Sequence, residues 1–226
     1  MTTTNETDKV RAFITRYNGI RILSTGAQLV DFTGVLYNVT GSTDDPRRVD
    51  GHTGVSWKKL LNKYENFSEA SCYVTSPLPA ITSTHPDFLV GGHMTTNSSG
   101  VVELGGVTYL MPLCKWHNST SQNGVAFEHL ETRMLKLTGF MEGDTSITFD
   151  LRLDNQSQYT QLYFDKPNKN WVYREISGME GQTILEQSLR PMSGGHLRQE
   201  HALFEKQGDY FFIKAANISN DSDNRI

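Results

Sequence analysis

The apolar residues of this chain occur in short runs that turn residues interrupt. Between residues 10 and 40, glycines separate the apolar positions into segments of strand length, and pairs such as Ile20 and Ile22 or Tyr37 and Val39 stand two positions apart. A period of two is typical of strands with one buried face. We therefore expect a fold rich in antiparallel strands. Since no apolar run approaches the roughly 20 residues that cross a bilayer, we also expect a soluble protein.

Two central segments carry the clearest periodic signals. Apolar residues recur at helical spacing at four positions, Phe127, Leu130, Met134 and Leu137. With Gly139 as a C-terminal stop, this spacing predicts a helix. In the segment "SITFDLRLD", which begins at residue 146, alternate residues are apolar instead. That alternation predicts a strand with one buried side.

Shorter segments indicate further helices and strands. Ser56 has the character of an N-cap for a helix in "WKKLLNKYENF", and "QTILEQSLR" predicts another helix. "YTQLYFD" and "NWVYREI" predict a hairpin joined by "KPNKN", and "DYFFIKAA" predicts a last strand. The expected class is α+β, with a mixed part over residues 1–144 and an antiparallel sheet with one or two packed helices over residues 145–226. Because the linker "MEGD" is so short, one continuous domain is an equal alternative.

Charge and cysteine content limit the classes of function. The net charge of −4 does not favour a polyanionic partner such as nucleic acid, which requires several cations on one face. The first residues, "MTTTNETDKVRAF", have neither the basic nor the apolar region of a secretory signal. Cys72 and Cys114 are the two cysteines. We expect a cytoplasmic protein in which they are thiols or metal ligands rather than a disulfide.

One stretch of about 30 residues combines residue types that carry chemistry. It runs from "GGHM", which contains His93, through the Gly105-Gly106 turn and the apolar run "VTYLMPL" to "CKWHN", with Cys114 and His117. In order and spacing this stretch resembles the HNH, or ββα-metal, finger. The resemblance implies a ββα finger within residues 72–139, with the helix predicted after residue 123 as its α element.

The resemblance also bears on activity. In HNH nucleases an acidic residue or histidine precedes the general-base histidine, and a histidine on the helix completes the metal site. At the matching places this chain has Gly92, Tyr109 and Asn118. These residues would hold a hard cation too weakly for an active nuclease. His93 is the residue left as a general base if the protein is a metal-dependent nuclease.

The residues that would bind a structural zinc ion in such a finger are better preserved in this chain than the catalytic residues. Many HNH fingers bind a zinc ion through Cys-x-x-Cys pairs, and the Cys114-x-x-His117 motif supplies a thiolate and an imidazole, both of which suit tetrahedral zinc. Among the upstream candidates, Cys72 and His93 complete a Cys2His2 set, with His85 as the alternate. The prolines between Cys72 and the hairpin are expected to hold that cysteine close to it.

Other interpretations of these residues stay open. Two cysteines in a chain of this length can simply be small buried apolar residues, and Cys114 beside a histidine can be a nucleophile. The favoured hypothesis is a binding or effector protein built on a degenerate, zinc-stabilised finger. Its expected partner is a macromolecule or a glycan, and the alternative is the metal-dependent nuclease.

Overall fold

The computed structural model describes six stretches of the chain: residues 6–42, 56–67, 69–80, 84–153, 155–189 and 199–218. Within them lie four helices: α1 (Glu6–Tyr17), α2 (Trp57–Tyr64), α3 (Ser146–Leu153) and α4 (Gly178–Leu189). None of these helices has both the length and the apolar character that spanning a bilayer requires.

The strands in the same stretches are short, and each hydrogen-bonded pair of them is antiparallel. They are β1 (Ile22–Leu23), β2 (Gly26–Asp31), β3 (Tyr37–Asn38), β4 (Val74–Ser76), β5 (Val90–Thr95), β6 (Gly106–Leu113), β7 (Glu128–His129), β8 (Arg133–Phe140), β9 (Tyr159–Asp165), β10 (Asn170–Ile176), β11 (His201–Gln207) and β12 (Tyr210–Asn217). The α+β prediction is confirmed at this level.

The chain divides into two compact units, and the division falls within α3. The described residues of the first unit are 6–24, 151–153, 155–189 and 199–218, and those of the second are 25–42, 56–67, 69–80 and 84–150. The first unit contains a sheet of order β1-β12-β11-β9-β10. Ile184 and Leu185 of α4 pack on its core at Tyr159 and Leu203.

The second unit is built on a five-stranded sheet of order β2-β8-β6-β5-β3, with a separate two-stranded pair of β4 and β7. Helix α2 begins after Ser56, whose hydroxyl accepts a hydrogen bond from the Lys59 backbone N–H at 3.1 Å, as the N-cap prediction requires. Its apolar side, with Trp57 and Leu61, is buried. β5 and β6 form an antiparallel hairpin within the stretch that resembles an HNH finger.

The helix predicted from Phe127 to Leu137 is wrong. A short 3-10 helix, Thr120–Gln122, follows the motif, and then come β7 and β8. β8 is hydrogen-bonded on both sides, so Leu135 lies opposite Leu29 of β2 and also opposite Leu110 of β6. This pairing with distant strands overrides the helical spacing, and Leu130, which belonged to the predicted apolar face, is 83% exposed.

The strand predicted at "SITFDLRLD" is also wrong, because this segment forms α3. Each side chain from Ser146 to Arg152 is buried, so alternation of apolar residues does not distinguish two faces here. Thr145 and Thr148 exchange hydrogen bonds between side-chain hydroxyl and backbone N–H, at 2.9 and 3.4 Å, in the manner of a capping box. That reciprocal cap starts the helix.

Candidate metal centre

Four side chains of the second unit bring their ligand atoms to one place. The sulfurs of Cys72 and Cys114 and one ring nitrogen each of His85 and His117 all lie within 4.8 Å of one another. Cys72, Cys114 and His117 are buried and His85 is partly buried. The group is therefore a compact set of two thiols and two imidazoles that could hold a metal ion.

The end of β6 supplies two of these residues. Cys114 directly follows β6, and the Asn118 backbone N–H donates to the Cys114 carbonyl at 3.1 Å, which closes a tight turn. This turn directs the His117 ring back toward the Cys114 sulfur, with 3.1 Å between Nδ1 and Sγ. The spacing Cys-x-x-His thus corresponds to one turn of chain.

The proline-containing connector supplies the other two residues. Cys72 stands two residues before β4, and the backbone N–H of the next residue, Tyr73, donates to the Pro112 carbonyl of β6 at 3.0 Å. The Cys72 backbone N–H donates to the Pro86 carbonyl at 2.8 Å, which holds the segment around His85 beside it. The connector therefore delivers both Cys72 and His85 to the end of β6.

The His117 ring is oriented from both of its nitrogens. Its Nε2–H donates to the Pro77 carbonyl at 2.9 Å, so Nδ1 presents its lone pair to the sulfurs of Cys114 and Cys72, at 3.1 and 3.3 Å. The amide of the buried Asn38 donates to the His117 carbonyl at 2.7 Å. Histidine ligands of metals usually donate their other ring N–H to a carboxylate, a backbone carbonyl or water, and the Pro77 carbonyl fills that place here.

The environment favours negative charge on sulfur. The hydrogen bond from the Cys72 thiol lowers the pKa of Cys114 to about 3, with further help from the backbone N–H of His117. The same bond between the sulfurs, together with burial, raises the pKa of Cys72 well above its usual range. Backbone N–H groups of Cys114 and Val74 also face the Cys72 sulfur. One thiolate is thus already stabilised, and the donors needed to stabilise a second are in place.

These distances suit a small tetrahedral ion. Bond lengths of about 2.3 Å to sulfur and 2.0–2.1 Å to nitrogen place ligand atoms roughly 3.4–3.8 Å apart in a tetrahedron, close to the observed separations of 3.1 and 3.3 Å. Trp116 and Phe127 stand edge-on to the His117 ring, with centroids at 4.8 and 5.2 Å. The aromatic rings keep water away from that side of the group.

His93 lies outside this group. It is 2% exposed, and its ring lies edge-on to Trp57 at 4.2 Å between centroids and 4.9 Å from Phe140. Burial lowers the pKa of His93 to about 3. Its Nε2 has no hydrogen-bond partner among the described residues. The structure therefore brings together Cys72, Cys114 and His117 with the alternate, His85, and places the predicted ligand and base His93 in an aromatic core.

Sequence reasoning ranked His85 below His93 because His93 stands in the motif itself. The signal that favours His85 is its place in the same connector as Cys72, before Pro86. Prolines that stiffen this connector and keep Cys72 near the hairpin also limit where His85, at its other end, can lie.

No protein-family model, curated protein or solved structure matches this chain.

Proposed function

We propose that this is a binding or effector protein whose second unit is stabilised by one structural zinc ion, bound by Cys72, His85, Cys114 and His117. The observation that carries the proposal is the convergence of two thiols and two imidazoles within 4.8 Å. These residues come from three separate places in the chain. A chance meeting of four soft or borderline donors, with no carboxylate among them, is a poor explanation for that convergence.

The donor set favours zinc over other common ions. Mg²⁺ and Ca²⁺ prefer oxygen ligands, which this group lacks, whereas thiolate and imidazole suit Zn²⁺. Four protein ligands fill a tetrahedral shell, which is the signature of a structural site, since catalytic zinc keeps one position for water. Recognition of a partner would therefore take place away from the ion.

The ion would join three segments that already lie side by side. Hydrogen bonds from Cys72 N–H to the Pro86 carbonyl, from Tyr73 N–H to the Pro112 carbonyl and from Trp116 N–H to the Thr84 hydroxyl link them. Structural zinc contributes about 10 kcal/mol or more to the folding of small domains. We expect a large part of the stability of this region to depend on the metal.

The likeness to an HNH finger is kept in the proposal for its hairpin and its Cys-x-x-His turn alone, because β7 and β8 stand where the finger would have its helix. The antiparallel pairing of β5 with β6 and the Cys114-x-x-His117 turn at its end support it. The nuclease alternative gains no such support, because a base must reach the proton that it abstracts and His93 is 2% exposed among aromatic rings. The net charge of −4 continues to favour a protein or glycan partner over nucleic acid.

The test compares substitutions of His85, which belongs to the observed group, and of His93, which the sequence suggested as a ligand. Elemental analysis of the purified protein is expected to give about one zinc per chain. His85→Ala and Cys114→Ser are expected to lose the zinc and to melt at lower temperature. His93→Leu and the control His201→Ala, in the first unit, are expected to retain it.

Two results would contradict the proposal. One is a wild-type protein that contains no zinc, binds none when zinc is added, and melts like Cys114→Ser. The other is plasmid cleavage with Mg²⁺, Mn²⁺ or Ni²⁺ that His93→Ala abolishes, which would establish the nuclease instead.

A further inference from the structure

We propose that Cys72 and Cys114 form a peroxide-sensitive modification site, in which oxidation to a reversible disulfide expels the bound metal ion. This inference rests on the proposed zinc site and adds a regulatory chemistry to it. Cysteine pairs that bind zinc hold two sulfurs close together as thiolates, the form that peroxides attack.

The two sulfurs are close enough to form a disulfide by small movements. They lie within 4.8 Å of each other, and a bond of about 2.05 Å requires each to move by at most about 1.4 Å. The chain segments that carry them are already neighbours, since the Tyr73 backbone N–H donates to the Pro112 carbonyl at 3.0 Å and the Cys114 N–H faces the Cys72 sulfur.

The four residues of the group differ in exposure. Cys114 and His117 are 0% exposed, whereas Cys72 is 7% exposed and His85 is only partly buried. A small oxidant therefore reaches the group from the side of His85.

The reaction balances with hydrogen peroxide as the oxidant. One of the two thiolates attacks one peroxide oxygen, the O–O bond breaks, and protonation of the leaving oxygen gives water and a sulfenic acid at that cysteine. The other thiolate then attacks the oxidised sulfur, forms the S–S bond and, with a second proton, releases the sulfenic oxygen as water. Two electrons pass from the two thiolates to the peroxide, and the ion is left with two imidazole ligands, too few to retain it.

The experiment treats zinc-loaded wild-type protein with hydrogen peroxide and follows zinc release with a chromogenic chelator. We expect release of the bound zinc, loss of both alkylatable thiols, and a Cys72–Cys114 disulfide by peptide mapping. Dithiothreitol followed by zinc is expected to restore the starting metal content. His201→Ala is the matched control and should react like wild type.

Single-cysteine variants test the sulfenic-acid step without requiring bound zinc. In Cys114→Ser and in Cys72→Ser the remaining cysteine has no resolving thiol, so its sulfenic acid should accumulate and be trapped by dimedone. In the wild-type protein the second thiol should consume the sulfenic acid, so little should be trapped. Equal trapping in wild type and in both variants would overturn the route through a Cys72–Cys114 disulfide.

Failure of this inference is distinguishable from failure of the proposed function. Two outcomes would overturn the switch without contradicting the zinc site. In one, zinc stays bound in peroxide. In the other, zinc is released but the cysteines form sulfinic acid or an intermolecular disulfide in place of the Cys72–Cys114 bond. A protein that never binds zinc would overturn both.

Discussion

At the scale of single residues, His93 makes stability depend on pH. Burial among aromatic rings lowers its folded pKa to about 3, from an ordinary value of 6.5. Below pH 6.5 the unfolded chain binds a proton at this histidine that the folded protein does not bind. Its contribution is therefore fully present above pH 6.5 and is lost as the pH falls toward 3, at up to about 1.4 kcal/mol per pH unit.

We expect His93→Leu to reduce this dependence. Between pH 6.5 and 5 the wild-type protein should lose about 2 kcal/mol more unfolding free energy than the variant. Urea denaturation of both proteins at pH 6.5 and pH 5 measures this difference in unfolding free energy. The difference between the two proteins cancels losses that they share, such as protonation of the metal ligands. Parallel pH profiles for wild type and His93→Leu would show that His93 is not held neutral in the fold.

The residue scale also shows why the candidate site was only partly predictable. Cys114-x-x-His117 is a local pattern, and one turn of chain brings its two side chains together, so the spacing alone was informative. Choosing between His85 and His93 required knowing which side of the hairpin each residue occupies. β5 directs His93 toward Trp57, and no local pattern carries that information.

At the scale of elements, the packing of α2 on β5 depends on the absence of a side chain at Gly91. A Cβ there would lie 2.8 Å from the Trp57 carbonyl carbon and 3.0 Å from the Lys58 nitrogen, both backbone atoms of α2. Backbone atoms cannot move aside as a flexible side chain does. The helix as a whole would have to shift.

We expect Gly91→Ala to destabilise the protein by about 1–3 kcal/mol, the usual cost of overpacking. Gly178→Ala is the matched control, since the nearest atom to its added methyl is a side-chain oxygen of Gln158 at 3.8 Å, and its effect should stay within about 0.5 kcal/mol. Thermal or urea unfolding compares the two variants. Similar losses for both would show that α2 does not pack on β5 as closely as described.

Two predictions were wrong for the same reason: a helix was predicted over 127–139, where β7 and β8 lie, and a strand was predicted where α3 lies. Both rested on apolar periodicity, which reports a buried face only when the opposite face meets water. β8 is bonded on both edges and α3 is buried all round, so neither shows that contrast. The hairpin of β9 and β10 was predictable because its turn residues in "KPNKN" stand directly between its strands.

At the scale of the whole molecule, all four candidate ligands belong to the second unit. We expect removal of zinc with EDTA to speed amide hydrogen exchange at the backbone N–H groups that join the ligand segments, those of Cys72, Tyr73, Leu89 and Asn118. Exchange in β9, β11 and β12 should stay unchanged. Equal acceleration in both units would contradict a stabilising effect that is confined to the second.

The first unit is made of segments that are far apart in sequence. Local sequence patterns therefore could not predict which segments pack together. β1 pairs with β12, and Arg11 forms a bidentate ion pair with Glu200, 189 positions away. Such pairings leave no local signal in composition or spacing. The division predicted near residue 144 stays a prediction.

This arrangement has a consequence for synthesis on the ribosome. The first unit needs strands from both ends of the chain, so its sheet cannot close until β12 has emerged from the exit tunnel. The second unit lies between those ends, and its last ligand is His117. It can complete its fold, and bind the proposed zinc ion, before β12 is available to pair with β1, so assembly should proceed from the middle of the polypeptide outward.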